Sequence, residues 1–242
     1  MTVLKEIYLE DRIKTSINFL KTGLAEFQKF RIDNSYCELP MITTSFGIEN
    51  LIKSLIVIHY WNDIDQINKL NNNQGIKTHK LSTLLENLTD ICEEKKFNRP
   101  ALQSDLIFMK TNKHLEDLIN LFSKYGQGGR YYSLDMILKE KSSHSNPIEE
   151  WEKVKNSFLD ERQDVKDRFF NEPQYDYHPE IMKELIIILE RFFRALSRLF
   201  TLGDFGELAK KMSPLVYTFL MKMDKDLGKT EYLELNLNFD MK

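Results

Sequence analysis

The sequence predicts an all-α protein, a multi-helix bundle of about eight helices, and three observations support that prediction. Glycine and proline are scarce, with 9 Gly and 6 Pro in 242 residues, whereas sheet-rich folds need a turn every ~8–12 residues. Leucine and isoleucine occur 32 and 21 times, but valine, which favours buried strands, occurs only five times. Apolar residues also recur at the three- and four-residue spacing of amphipathic helices.

In chain order, the first half predicts four long helices. Thr78 can cap the third of these helices, and Pro100 suits the first turn of the fourth. Residues 33–45, with Pro40 among them, predict a connection between the first two. The apolar seams place the four helices over about 3–31, 46–70, 81–92 and 100–125.

A polar segment, residues 141–147 (KSSHSNP), predicts a linker. We therefore expect residues 1–140 to form one helical bundle and residues 141–242 to form a C-terminal helical region packed on it. Asn146 and Pro147 supply a cap and a first-turn proline for the helix that follows the linker.

Two long helices and an unusual tail are predicted after the linker. The helices extend over about 146–170 and 180–201, and the second is apolar around most of its circumference, which is typical of a central buried helix. In the tail, Leu233, Leu235, Leu237 and Phe239 alternate with polar residues. That spacing of two allows a short C-terminal β-strand, which would need a partner strand.

Composition disfavours some classes of function. The formal net charge is −3, and basic and acidic residues number 15 and 16 in residues 1–121 and 19 and 21 in residues 122–242. A protein that coats nucleic acid has a basic excess across a whole domain, which this chain lacks. The overall charge does not exclude a local basic groove. The chain shows no secretory signal pattern and no uninterrupted aliphatic run near the ~20 residues of a membrane span. We therefore expect a cytoplasmic protein without membrane association.

No common catalytic or nucleotide-binding motif is present: the sequence lacks a P-loop, GxGxxG, GxSxG, HExxH and CxxC. We therefore expect no cofactor, no metal ligand and no catalytic residue. Histidines and carboxylates at helical spacing keep a metal-dependent hydrolase open as one alternative. These residues are His59 with Asp63, His114 with Asp117, and the cluster Asp160, Glu161 and Asp164.

The most unusual local composition is the run Gly126-Gln127-Gly128-Gly129-Arg130-Tyr131-Tyr132. Glycine N–H groups can converge on an anion, arginine can bind phosphate through two hydrogen bonds, and tyrosine rings can stack on a base. A tight turn whose tyrosines pack on neighbouring helices is the alternative.

Three arginines, Arg191, Arg194 and Arg198, recur on one face of an otherwise apolar helix. They could line a basic groove. We interpret them instead as a solvated or ion-paired edge beside Glu184 or Glu190.

Three short segments resemble the HEPN (higher eukaryote and prokaryote nucleotide-binding) family. Residues 48–56 (IENLIKSLI) resemble its Glu-x-x-x-Lys-x-Leu helix, residues 78–85 (THKLSTLL) resemble the start of its next helix, and Arg130-Tyr131 resembles the Arg-Tyr that follows. The resemblance covers about residues 10–138. It implies a helical, usually homodimeric protein of prokaryotic toxin–antitoxin, antiviral defence or RNA-processing systems. The ligand-binding residues that the resemblance and the local composition suggest are Glu49, Lys53, His79, Arg130, Tyr131 and Tyr132.

Many HEPN proteins are metal-independent ribonucleases with a histidine four to six residues after an arginine. None of the nine arginines here has a histidine at that spacing. We therefore predict a non-catalytic RNA- or nucleotide-binding or regulatory protein that forms a homodimer. The other alternative is a homo-oligomeric protein-interaction or structural module without a small ligand, in which the alternating tail contacts a protein partner.

Overall fold

The computed structural model describes residues 2–32, 36–63, 65, 66, 69, 76–139 and 145–237, and these residues are all-α, with no strand among them. The first six helices described are α1 (Thr2–Gln28), α2 (Glu38–His59), α3 (Leu81–Glu94), α4 (Pro100–Thr111), α5 (Lys113–Gln127) and α6 (Tyr132–Lys139). The next six are α7 (Pro147–Asp160), α8 (Gln163–Asn171), α9 (His178–Leu202), α10 (Glu207–Met212), α11 (Tyr217–Leu220) and α12 (Tyr232–Leu237). Three 3₁₀ turns lie at Gly129–Tyr131, Ser213–Val216 and Asp224–Asp226.

Helices α1 and α2 pack closely against each other along much of their length. A Cβ atom on Gly47 would lie 2.7 Å from the side chain of Leu20, and a Cβ on Gly23 would clash with the hydroxyl of Thr44. The absence of side chains at these two glycines lets the two backbones approach. This pair of helices forms the base of the candidate site described below.

Helix α9 lies at the centre of the core, as its apolar circumference predicts. The same core contains side chains from both halves of the chain: the rings of Phe27 and Trp151 stack with their centroids 5.7 Å apart. Glu190 of α9 is fully buried and forms an ion pair with Lys222 at 2.9 Å. It also accepts a hydrogen bond from the Tyr232 hydroxyl at 2.6 Å. These contacts fasten the C-terminal segment to the central helix.

Several helix boundaries differ from the sequence prediction. Helix α2 begins at Glu38, with Pro40 in its first turn, where the missing N–H of proline costs no intrahelical hydrogen bond. It ends at His59, well before residue 70. The predicted helix over 100–125 is interrupted at Asn112, whose Oδ1 accepts a hydrogen bond from the Leu115 N–H at 2.9 Å and caps α5.

The helix predicted after the linker is likewise two helices, α7 and α8, although its start is correct. The Asn146 Oδ1 accepts from the Ile148 N–H at 3.0 Å, and Pro147 occupies the first turn. These breaks explain why the described residues contain more helices than the eight or so expected, within the same fold class.

The short C-terminal strand is a wrong prediction for Tyr232–Leu237, which forms the helix α12. A spacing of two also contains the four-residue spacing of a helix, so the alternating pattern fits either structure. The Tyr232 N–H donates to the Gln28 Oε1 at 2.8 Å, which joins α12 to the end of α1. Residues 238–240 of the predicted strand lie outside the described residues.

Helix α2 is also long and apolar enough to cross a membrane, by length and composition alone. Within the fold, 72% of its most apolar 18-residue window is buried, so the protein itself covers that surface.

Candidate functional site

A pocket of about 430 Å³ opens between α1 and α2, beside the segment that precedes α3. Ligand pockets typically enclose about 300–1,000 Å³, so this volume suits a small molecule. We call it the α1–α2 pocket, and its lining residues are Leu9, Arg12, Phe46, Glu49, Asn50, Lys53, Ser54, Val57, Ile76 and His79.

The carboxylate of Glu49 joins the charged groups of this pocket. Lys53, one helical turn further along α2, places its Nζ 2.8 Å from Glu49 Oε1, and each side chain is only 12% exposed. His79 Nδ1 lies 3.0 Å from Glu49 Oε1 and 3.2 Å from Oε2. Three of the six predicted ligand-binding residues therefore converge on one site.

His79 reaches Glu49 because the segment before α3 is held in place. The Lys80 N–H donates to the Thr78 hydroxyl at 3.0 Å, and the Leu81 N–H donates to the Ser123 hydroxyl of α5 at 3.0 Å. Thr78 was predicted as the cap of this helix, but α3 begins at Leu81 without a side-chain cap. The imidazole of His79 is 67% exposed and faces solvent on its other side.

Arg12 of α1 is a second cation of the pocket, and no sequence pattern predicted it. Its Nη1 donates a hydrogen bond to Oδ1 of Asn50, a buried residue of α2. The two residues are far apart in sequence, and nothing in the α1 pattern sets Arg12 apart from other exposed basic residues. With His79 neutral, the charges of Arg12, Lys53 and Glu49 give the pocket a net charge of +1.

An exposed aromatic ring forms part of the apolar wall. Phe46 is 45% exposed, although it belongs to an otherwise buried stretch of α2. Its ring meets that of Phe19 edge-on, with centroids 4.9 Å apart and planes at 72°. Phe19 supports Phe46 from one side, and much of the ring remains open to solvent at the pocket.

The other three predicted residues, Arg130, Tyr131 and Tyr132, do not line this pocket. Arg130 is exposed, and its guanidinium lies 4.9 Å from the centroid of the Tyr131 ring. These residues follow the end of α5, where burial, and to a lesser extent the charge of Glu38, raise the pKa of Tyr125 to about 12. Glu38 precedes Glu49 by eleven residues, or ~16 Å along a helix. The six predicted ligand-binding residues therefore lie in two separate places. Glu49, Lys53 and His79 line the α1–α2 pocket, and Arg130, Tyr131 and Tyr132 follow the end of α5.

The glycine run lacks the left-handed residues that one kind of anion-binding loop uses. Gly126 lies in the last turn of α5, where a Cβ would come within 2.6 Å of the Ser45 hydroxyl. Gly128 is extended, with φ −172°, and among the described glycines only Gly206 and Gly228 have positive φ. Backbone concavities for anions form from alternating right- and left-handed residues or from turns. Close packing against α2 accounts for Gly126 instead.

The two histidine–aspartate pairs have other contacts. His59 packs against the ring of Phe205, and burial, reinforced by Lys95, lowers its pKa below the ordinary 6.5. His114 stacks on Phe158 at 4.1 Å and lies 3.0 Å from Glu161. In the part of the chain that the structure describes, no group of three histidine, cysteine or acidic residues could hold a metal ion.

The three arginines of α9 have partners other than the glutamates expected. Arg194 pairs with Asp224 at 2.6 Å and Arg198 with Asp105 at 2.9 Å. The Arg191 guanidinium lies 4.1 Å from the centroid of the Phe108 ring. The acidic cluster is also paired: Asp160 contacts Lys166, Glu161 contacts His114 and Asp164 contacts Arg162.

Comparisons with protein-family models, curated proteins and solved structures found no match to this chain.

Proposed function

We propose that this protein binds a nucleotide, either free or as part of an RNA strand, in the α1–α2 pocket and does not transform it. The observation that carries the proposal is the meeting of two cations, Arg12 and Lys53, with an exposed aromatic ring, Phe46, around one concave site. A nucleotide presents the two complementary groups, a phosphate and a flat base.

The cations suit a phosphate. Arg12 has five N–H donors, of which Nη1 is engaged by Asn50, so others remain for phosphate oxygens. Lys53 is neutralised by its ion pair with Glu49. An entering phosphate would compete with the Glu49 carboxylate for Lys53, and this competition limits affinity and favours dianionic phosphates over weaker anions.

The aromatic wall suits a base. Stacking of a base on an aromatic side chain contributes about 1–3 kcal/mol and tolerates any base. Phe46 is exposed and meets Phe19 edge-on, so a base could stack on it without displacing a core residue. Leu9 and Val57 add further apolar surface to the pocket.

The resemblance to HEPN proteins points in the same direction. Glu49, Lys53 and His79 carry that resemblance and also line the pocket. The missing arginine–histidine pattern favours binding rather than cleavage. We extend the proposal to the setting that the resemblance implies, a homodimer in a prokaryotic defence or toxin–antitoxin type system.

Fluorescence polarisation with a short labelled RNA, in competition with unlabelled mononucleotides, tests the proposal. Arg12→Gln should weaken binding at least about tenfold, because a charge-assisted hydrogen bond contributes about 1.5–3 kcal/mol and 1.4 kcal/mol is a factor of ten. Arg130→Gln makes the same chemical change at an exposed arginine outside the pocket and should leave affinity within about twofold.

Two results would contradict the proposal. One is the absence of binding by any mononucleotide or RNA to a protein that circular dichroism shows to be folded. The other is an equal loss of affinity in Arg12→Gln and Arg130→Gln, which would move binding away from the α1–α2 pocket.

A further inference from the structure

A second cleft, between α4 and α9, contains an arginine without a carboxylate partner. Arg194 and Arg198, on the same helix as Arg191, each pair with an aspartate. No carboxylate among the described residues lies within ion-pair distance of Arg191, whose contact is the ring of Phe108. A cation held through its contact with a ring face keeps its N–H donors available, because the ring uses none of them.

Asp224, an acidic residue on which Arg191 acts electrostatically, is already engaged by another arginine. The pKa of Asp224 lies below its ordinary value chiefly because Arg194 donates a hydrogen bond to it, and Arg191 adds only a weaker electrostatic contribution. Asp224 Oδ1 lies 2.6 Å from Arg194 Nη2. Arg191 is therefore the arginine of this face whose charge is not matched by an ion pair.

The cleft beside Arg191 encloses about 490 Å³, and we call it the α4–α9 cleft. Gln103, Ser104, Phe108, Asn112 and Arg191 contribute to its lining, and no carboxylate does so among the described residues. The α1–α2 pocket, in contrast, contains Glu49. A cleft with one cation, several neutral polar groups and no acid favours an anion.

Asn112 lines this cleft and also caps α5. Its Oδ1 accepts the hydrogen bond from the Leu115 N–H at 2.9 Å, so the oxygen is fixed toward α5 and the Nδ2 group remains a donor. The N-terminal end of α5 itself adds a favourable partial positive charge. Ile107, 62% exposed, supplies an apolar surface at the same cleft.

From these observations we infer that the α4–α9 cleft is a second ligand site, independent of the α1–α2 pocket, which binds an oxyanion between Arg191 and Asn112. The ligand class is a small molecule with a phosphate or carboxylate group and an apolar part that contacts Ile107. Arginine binds both groups through two parallel hydrogen bonds. The test therefore includes one probe for each anion.

The Nε–Hε resonance of Arg191 in a ¹⁵N correlation spectrum reports this site directly, and its absence from the spectrum of Arg191→Lys assigns it. Inorganic phosphate and acetate are titrated separately into the full chain, with sodium chloride adjusted to keep ionic strength constant. We expect a saturable shift. Saturation by phosphate alone supports a phosphate ligand, and saturation by acetate, with or without phosphate, supports a carboxylate or a general oxyanion.

Asn112→Asp is the decisive variant because aspartate retains the N-cap, so the fold is preserved. It removes the amide donor and gives Arg191 the carboxylate that it lacks, which should weaken anion binding at least tenfold. Lys53→Gln, in the other pocket, should leave the Arg191 shift unchanged. A linear shift with both salts, or unchanged binding in Asn112→Asp, overturns the inference.

Discussion

Glu49 and Lys53 form a 2.8 Å ion pair one turn apart on α2, and only 12% of either side chain is exposed. An exposed pair at this helical spacing stabilises by only a few tenths of a kcal/mol. A pair this buried has lost most of its hydration, so each charge depends on the other. The same geometry makes Glu49 the group that limits how strongly the pocket attracts an anion.

Glu49→Gln should therefore change stability and affinity in opposite directions. The variant leaves Lys53 poorly hydrated and without its carboxylate, which should lower the free energy of unfolding by about 1–3 kcal/mol. The net charge of the pocket rises from +1 to +2, so nucleotide affinity should increase several-fold. Urea unfolding and fluorescence polarisation measure the two effects, and a fall in both would instead indicate a purely structural role for Glu49.

The salt dependence of RNA binding should be shallow. For single-stranded nucleic acid, the slope of log K against log salt is about −0.7 for each phosphate neutralised. Arg12 and Lys53 are the two arginine or lysine side chains that line the pocket, so we expect a slope of about −1.4. Polarisation titrations at several chloride concentrations give this value, and a slope several times steeper would point to an extended basic surface instead.

Gly47→Ala should destabilise the fold because α1 and α2 approach too closely to admit a Cβ. That atom would lie 2.7 Å from the Leu20 side chain and 3.1 Å from the Leu20 backbone nitrogen. Overpacking of this kind costs about 1–3 kcal/mol. Gly129→Ala is the matched control, because its Cβ would meet nothing closer than 3.3 Å. Equal thermal shifts for the two variants would argue against the close α1–α2 crossing.

Stability should fall in alkali because of Tyr232. Burial first, and then the neighbouring carboxylate of Glu190, raise its pKa above the ordinary 10.0. The unfolded chain loses this proton near pH 10, whereas the folded chain retains it. The free energy of unfolding should therefore be unaffected below about pH 9 and decrease as the pH rises above about 10.

Tyr232→Phe isolates this contribution. The variant loses the hydrogen bond to Glu190 and should be less stable than the wild type at neutral pH. Its disadvantage should shrink as the pH rises from about 9 to about 11, because phenylalanine has no proton to lose. Urea unfolding of both proteins across that range provides the test. If the difference in free energy of unfolding between the two proteins stays constant across this pH range, Tyr232 lies in a solvated environment.

Apolar spacing and helix-capping residues, which are local features of the sequence, predicted two parts of this fold correctly. The apolar circumference of α9 and the cap formed by Asn146 and Pro147 are both found in the structure. The break at Asn112 was missed because the apolar seam continues across it, so only the capping hydrogen bond reveals the boundary. The alternating tail was misassigned because spacings of two and four coincide over a short segment.

The candidate site was only partly accessible from the sequence. The spacing of Glu49 and Lys53 on one helix predicts their contact, whereas the approach of His79 depends on how α3 docks on α5 through Ser123. Arg12 comes from a different helix, and no local pattern places it beside Asn50. Composition drew attention to Gly126, whose role is close packing against Ser45.

The most direct test of nucleotide binding in the α1–α2 pocket uses Phe46→Trp, which places a fluorescent ring on its wall. Mononucleotides should quench this added emission with a saturable curve. In the double variant Phe46→Trp/Arg12→Gln, half-maximal quenching should need at least about tenfold more nucleotide. The native Trp61 and Trp151 do not line the pocket, and the unmodified protein supplies their background. If nucleotides do not quench the added tryptophan, or quench it equally with and without Arg12, the pocket does not bind nucleotides and the account is wrong.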